Sequence, residues 1–183
     1  MHEANPAERA CGDCTVCCVV PAIDTHAIQK ITGARCRNLQ GGGCAIYDAR
    51  PRACRDFFCA WIAGAMPDGW RPHDCGVLAQ EIVLEGRAGM SLMLIADARK
   101  TVRQGWFVAY VQAAVRDGVP LVLALPGPRG TRSAKLGLNT PQMRQAAMGT
   151  PEQVRQQLRL AVKALMGMPF ETMPLLNTGN DVS

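Results

Sequence analysis

Cys11-Gly12-Asp13-Cys14-Thr15-Val16-Cys17-Cys18 opens a segment holding eight of the chain's nine cysteines: these four, then Cys36, Cys44, Cys54 and Cys59. A C-x2-C step lets two thiolates converge on one ion, because the chain between them can turn tightly around it. Three such thiols in series, with more downstream, is the pattern of a soft-metal site or an iron–sulfur cluster. Eight thiolates exceed one tetrahedral site. Two four-thiolate sites fit the count, as does one two-metal site with bridging thiolates. A single [4Fe–4S] cluster would use only four of them. The run copies the first three ligands of a bacterial ferredoxin, but Cys18 follows at once and Val19 comes after it, so the matching Cys-Pro is absent. Zinc and iron, the latter including an iron–sulfur cluster, both remain open.

The compartment decides how these thiols are read. The start of the chain, Met1-His2-Glu3-Ala4-Asn5-Pro6, has neither the basic nor the apolar region of a secretory signal. No apolar run approaches a membrane span in length. The expectation is a cytoplasmic protein with no membrane association, where thiols stay reduced. That favours metal over disulfide or redox chemistry, and an odd total of cysteines suits a ligand set plus a spare.

Outward from the cysteines, the chain divides by character. Residues 1–76 read as a cysteine-cluster metal-binding lobe and residues 77–183 as a small α+β platform packed on it. In the lobe, Gly12 and Asp13 make a turn within an irregular ligand run. Asp24 or Thr25 caps a short helix through Ile28 and Ile31 that ends at Gly33. Gly41-Gly42-Gly43 gives the backbone freedom to bring Cys44 in close. Asp48 and Pro51 suit the cap and first turn of a second helix, with Cys54, Phe57, Phe58, Trp61 and Ile62 as its apolar stripe. Cys59 lies about 140° round an ideal helix from Cys54. Either that helix breaks between them, or the two thiolates serve different ions.

In the platform, Glu81–Glu85 and Met90–Ile95 read as strands joined by a Gly86–Gly89 loop. Thr101–Val115 reads as a helix with Val102, Trp106, Tyr110 and Ala113 inward, ending at Gly118. Pro120–Leu125 is a buried strand, and Arg129–Asn139 a basic loop. Thr140-Pro141 and Thr150-Pro151 each open a helix, the second with Val154, Leu158, Ala161, Val162 and Leu165 on one face. The tail from Pro169 is expected to fray. The fold class is therefore α+β: a metal-organised, irregular lobe with short helices, then a small, mostly antiparallel sheet and C-terminal helices.

Several of these residues together resemble one family. Cys11-x2-Cys14-x2-Cys17-Cys18, Cys36, Gly43-Cys44-Ala45-Ile46-Tyr47, Arg50-Pro51, Cys54-Arg55-x-Phe57 and Cys59 are similar to the YkgJ-like CxxCxxCC cysteine-cluster family, described as zinc- or iron-chelating proteins. Cys59-Ala60-Trp61-Ile62, followed by Arg71-Pro72, is similar to one branch of it. The resemblance covers roughly residues 9–80. It implies metal chelation by Cys11, Cys14, Cys17, Cys18, Cys36, Cys44, Cys54 and Cys59. A methylase branch with the same kind of cluster is linked to an iron–sulfur centre and S-adenosylmethionine. This chain has no Gly-rich strand–helix turn of the kind that grips a nucleoside cofactor, so the activity is not carried over.

The other titratable groups form no catalytic set. Cys75 lies outside the cluster pattern and reads as a plain buried thiol. His2, His26 and His73 read as ordinary surface or core residues. Asp13, Asp48, Asp56 and Asp74 show no pairing that argues acid–base catalysis. Arg50, Arg52 and Arg55 are placed to offset thiolate charge. The net charge of +5 is uneven: eleven basic residues between Arg99 and Lys163 face only Asp117 and Glu152. Solvated helix faces explain such a run most simply, and an acidic protein partner is the functional alternative. The aromatics there, Trp106, Phe107 and Tyr110, sit together rather than between the basic residues, which weighs against nucleic acid. The sequence thus supports a binding module first. An iron–sulfur-dependent enzyme or maturation factor acting on a protein partner comes second, and a disulfide or redox protein third.

Overall fold

The computed structural model describes residues 9–25, 28–55 and 59–173. The fold is α+β. Its centre is a four-stranded sheet of β5 (Val77–Leu84), β6 (Arg87–Leu94), β7 (Leu121–Leu125) and β8 (Ala134–Gly137), in that order. β5–β6 and β7–β8 are antiparallel, and β6–β7 is parallel. A parallel neighbour cannot follow through a tight turn, so the chain crosses over through α4 (Ala98–Thr101) and α5 (Gly105–Arg116). Two helices follow, α6 (Pro141–Met148) and α7 (Pro151–Met166).

Alternation of side chains along each strand gives the sheet two apolar faces. Val77, Ala79, Leu92, Leu94, Leu121 and Leu123 face the helices and share one core with Val108, Val111, Leu158 and Leu165. Leu78, Met93 and Ala124 point the other way, and there they meet Val16 from the cysteine segment. The cysteine segment therefore covers the face of the sheet that the helices leave bare.

The expected α7 face is the one observed: Val154, Leu158, Ala161, Val162 and Leu165 are all buried. Thr150 and Gln153 form a reciprocal capping box before Pro151, and Thr140 caps α6 through the Met143 N–H at 3.1 Å. The β5–β6 hairpin is tighter than a Gly86–Gly89 loop. Glu85 and Gly86 alone make the turn, both at positive φ, so the strands extend to Leu84 and Arg87.

Elsewhere tertiary context overrides the local pattern. The helix read from Thr101 is two helices, with a turn at residues 102–104. α5 consequently starts at Gly105, and its inward row is Phe107, Val108, Val111, Ala114 and Val115. Trp106 is 38% exposed and Ala113 is exposed, while Val102 is buried outside α5. The loop expected at residues 129–139 contains β8, whose Ala134 and Leu136 alternate with Lys135 and join the core. Its charges mask a period-two pattern. The segment at Ile28 and Ile31 is not helical. β1 (Ile23–Thr25) and β2 (Ile28–Lys30) form an antiparallel hairpin, because the β-branched Ile23, Thr25 and Ile28 favour extended backbone over a short uncovered helix. Residues 170–173 do not fray: Arg132 N donates to Glu171 O at 2.8 Å, Met173 N to Gly130 O at 2.9 Å, and Phe170 packs on the core.

The chain on both sides of Gly76 shares one core. Ala60, Met66 and Trp70 lie in the same cluster as the helices. Trp70, in a 3-10 turn (Asp68–Trp70), packs edge-on to Trp106 with centroids 4.7 Å apart, and meets Phe107 and Tyr110. Gly76, at φ 72°, ends α3 (Pro72–Cys75) and turns the chain into β5; a Cβ there would lie 2.5 Å from the Ala96 Cβ. No described helix is long and apolar enough to cross a membrane.

Candidate metal centre

The turn between Cys11 and Cys14 forms as the sequence reads it. Cys14 N donates to Cys11 O at 2.8 Å across the Gly12-Asp13 turn, with Gly12 at φ 53°. The run then departs from the irregular form expected, because Val16–Val19 makes one helical turn, α1. Successive residues on a helix diverge by about 100°. Cys17 and Cys18 therefore leave the helical turn in different directions, although their thiols still meet in a hydrogen bond.

Around Cys18, three elements bring in further thiols. Cys36 N donates to Cys18 O at 2.8 Å. The short strands β3 (Leu39–Gln40) and β4 (Gly43–Cys44) pair Leu39 with Cys44, turning through Gly41 and Gly42. Cys54 lies on α2 (Arg52–Arg55). Cys18, Cys36 and Cys54 pack with Ile28 and Leu39 in one small apolar cluster. The expected longer helix through Trp61 is not formed, since Cys59–Gly64 is a bridge and turn. Cys59 pairs instead with Gln80 at the edge of β5, and Ala60 N donates to Ala79 O at 2.9 Å. Cys59 and Cys14 both pack against the Val16 cluster. Of the other residues read from sequence, His2, His26, Asp56, Phe57 and Phe58 lie outside the described residues, as does the tail beyond Met173.

Seven of the eight cysteines, all but Cys59, line one narrow cleft walled by Ile23, Ile28, Leu39 and Ile46. Its volume is about 60 Å³. Pockets for organic ligands are several hundred Å³, so the cleft suits ions rather than a metabolite. All nine cysteines are free thiols. Among the described residues, no group of three or more His, Cys, Asp or Glu side chains stands close enough together to hold a metal ion. The thiols share walls without converging on a point. As a donor set they match thiophilic ions in chemistry, and closing on an ion requires their side chains to turn inward.

The charges around the cleft are cationic. Arg50 lies over the Tyr47 ring at 3.7 Å and donates to Tyr47 O at 2.7 Å. Its charge favours the thiolate forms of Cys18 and Cys54. Two further cations were not legible in the sequence. Lys30 is buried, with Nζ donating to Val19 O at 2.9 Å and to Pro21 O. Burial lowers its pKa, and the nearby Cys36, Cys18 and Cys17 oppose that shift. Arg71 donates to Cys11 O at 2.8 Å and pairs with Asp13, which holds it protonated; Asp74 and Cys14 add to this. Strand periodicity was the missing signal for Lys30: Ile28 and Lys30 share the buried face of β2. Arg52 and Arg55, expected to offset thiolates, are both exposed.

The thiols respond to these surroundings. The Cys17 thiol donates to Cys18, which raises Cys17 and brings Cys18 down to about 6. Burial raises Cys54 and Cys59. Cys75 does not line the cleft; its sulfur is 3.3 Å from the Val77 N–H and packed against the main core. Compared with family models, curated proteins and solved structures, the chain matches none.

Proposed function

We propose that the protein is a metal-binding cysteine-cluster protein that chelates zinc or iron through Cys11, Cys14, Cys17, Cys18, Cys36, Cys44, Cys54 and Cys59. The observation that carries the reading is the ion-sized cleft lined by seven of these thiols. Lys30, Arg50 and Arg71 beside it support the same reading, because thiolate centres of net negative charge need cations nearby. A bound ion would contribute Lewis acidity if zinc, or electron transfer if an iron–sulfur cluster. The residues themselves bind the ion, balance its charge and screen it behind Ile23, Ile28 and Leu39. The reading places the protein in the cytoplasm, where the thiols stay reduced, and it resembles the YkgJ-like family in its cysteine spacing. Zinc, iron and sulfide measured on protein purified without air test it. The expected result is at least one ion per chain; a chain that carries and takes up neither metal would overturn the reading.

A further inference from the structure

We infer that the eight thiols form two separate four-cysteine metal sites, Cys11/Cys14/Cys17/Cys59 and Cys18/Cys36/Cys44/Cys54, divided between the adjacent Cys17 and Cys18. The inference rests on the metal-binding reading above and goes beyond it in ligand partition and stoichiometry.

Three observations carry it. The first is the helical turn at Val16–Val19. Cys11, Cys14 and Cys17 follow one another at steps of three, while Cys18 is rotated by about 100° from Cys17. The second is packing on opposite sides of that turn. Cys14 and Cys59 join Val16 and the sheet residues Leu78, Met93 and Ala124. Cys18, Cys36 and Cys54 join Ile28 and Leu39, away from the sheet. The third is backbone linkage. Cys11 and Cys14 share a hydrogen-bonded turn, Cys18 and Cys36 are joined by a 2.8 Å bond, and Cys44 is paired with Leu39 next to Cys36.

The charges divide the same way. Arg71 donates to Cys11 O at 2.8 Å. Lys30 donates to Val19 O and Pro21 O, just after Cys18 in the chain, and Arg50 lines the cleft. Cations thus stand near both groups of thiols, as anionic centres require.

Cobalt(II) titration of the metal-free, reduced full-length chain tests the partition. Cobalt reports thiolate ligation by charge-transfer absorption and tetrahedral geometry by its visible bands. The expected wild-type endpoint is two ions per chain, both tetrahedral. C11S/C14S should take one ion, and C36S/C44S should take the other one. An endpoint of one ion, or loss of both ions from either double variant while the sheet retains its far-ultraviolet dichroism, overturns the partition and leaves metal binding standing. No uptake at all removes the metal-binding reading itself. If a double variant does not fold, the wild-type endpoint alone decides between one site and two.

Discussion

Lys30 offers a sharp test of whether the cleft holds an anionic metal centre. It is 7% exposed, and its ammonium donates to the carbonyls of Val19 and Pro21. Lys30→Met keeps the stem and removes the charge. In metal-free protein the loss is that of two hydrogen bonds from a charged donor, at about 1.5–3 kcal/mol each. Relief of the buried ammonium's desolvation offsets part of this, leaving on the order of 3 kcal/mol. In metal-loaded protein a second loss appears. Four thiolates on a divalent ion carry about −2, and a unit charge several ångströms away contributes on the order of 1–4 kcal/mol at the effective dielectric of such sites. The variant should therefore lose roughly tenfold or more in zinc affinity, since about 1.4 kcal/mol is tenfold. Urea denaturation of loaded and stripped forms of both proteins, with zinc competition against a chromophoric chelator, measures the two losses separately. Equal destabilisation of both forms with unchanged zinc affinity would refute the charge-balancing argument and leave Lys30 as a staple between two loops.

Further outcomes follow from other parts of the molecule. Stripping metal under reducing conditions should abolish cooperative melting of residues 11–59 while the helix-covered sheet still melts, because metal-binding energy there is folding energy; superimposable melting curves would count against this. Cys17→Ser should lower bound metal substantially and Cys75→Ser should leave it nearly unchanged, since Cys75 packs on the main core away from the cleft; metal analysis of the two variants checks it. Trp70→Ala removes a side chain wedged among Trp106, Phe107 and Tyr110 and should cost about 3–5 kcal/mol by denaturant melts. Thr150→Ala breaks the α7 capping box and should cost about 1 kcal/mol in the same assay.

Much of the platform could be read directly, because its signals are local. Thr150-Pro151 with Val154, Leu158 and Leu165 at helical spacing specifies where α7 starts and which face it buries. The same holds for Thr140-Pro141 and for the apolar run Leu121–Leu125. The α5 face does not follow from one helix over residues 101–115, because a break at residues 102–104 shifts the phase of what comes after it, although Tyr110 still packs on the core. β8 was missed because its strand pattern alternates through Lys135, in a segment whose basic composition resembles a loop.

By itself, the order of residues marked Cys11, Cys14 and Cys17 as a candidate ligand run, since C-x2-C spacing is a property of the backbone between neighbours. It also determined that Cys54 and Cys59 could not share an ion within an intact helix. Which thiol stands with which was decided only in three dimensions. Cys59 reaches the Cys14 side by pairing with Gln80, a residue 21 positions away. Cys36 reaches Cys18 through a backbone hydrogen bond across a hairpin that the local sequence favoured as a helix. Lys30 faces the thiols only because β2 is extended, so that alternate side chains share a face. Those placements depend on the sheet covering Val16, and on contacts between residues far apart in the chain, which no local periodicity encodes.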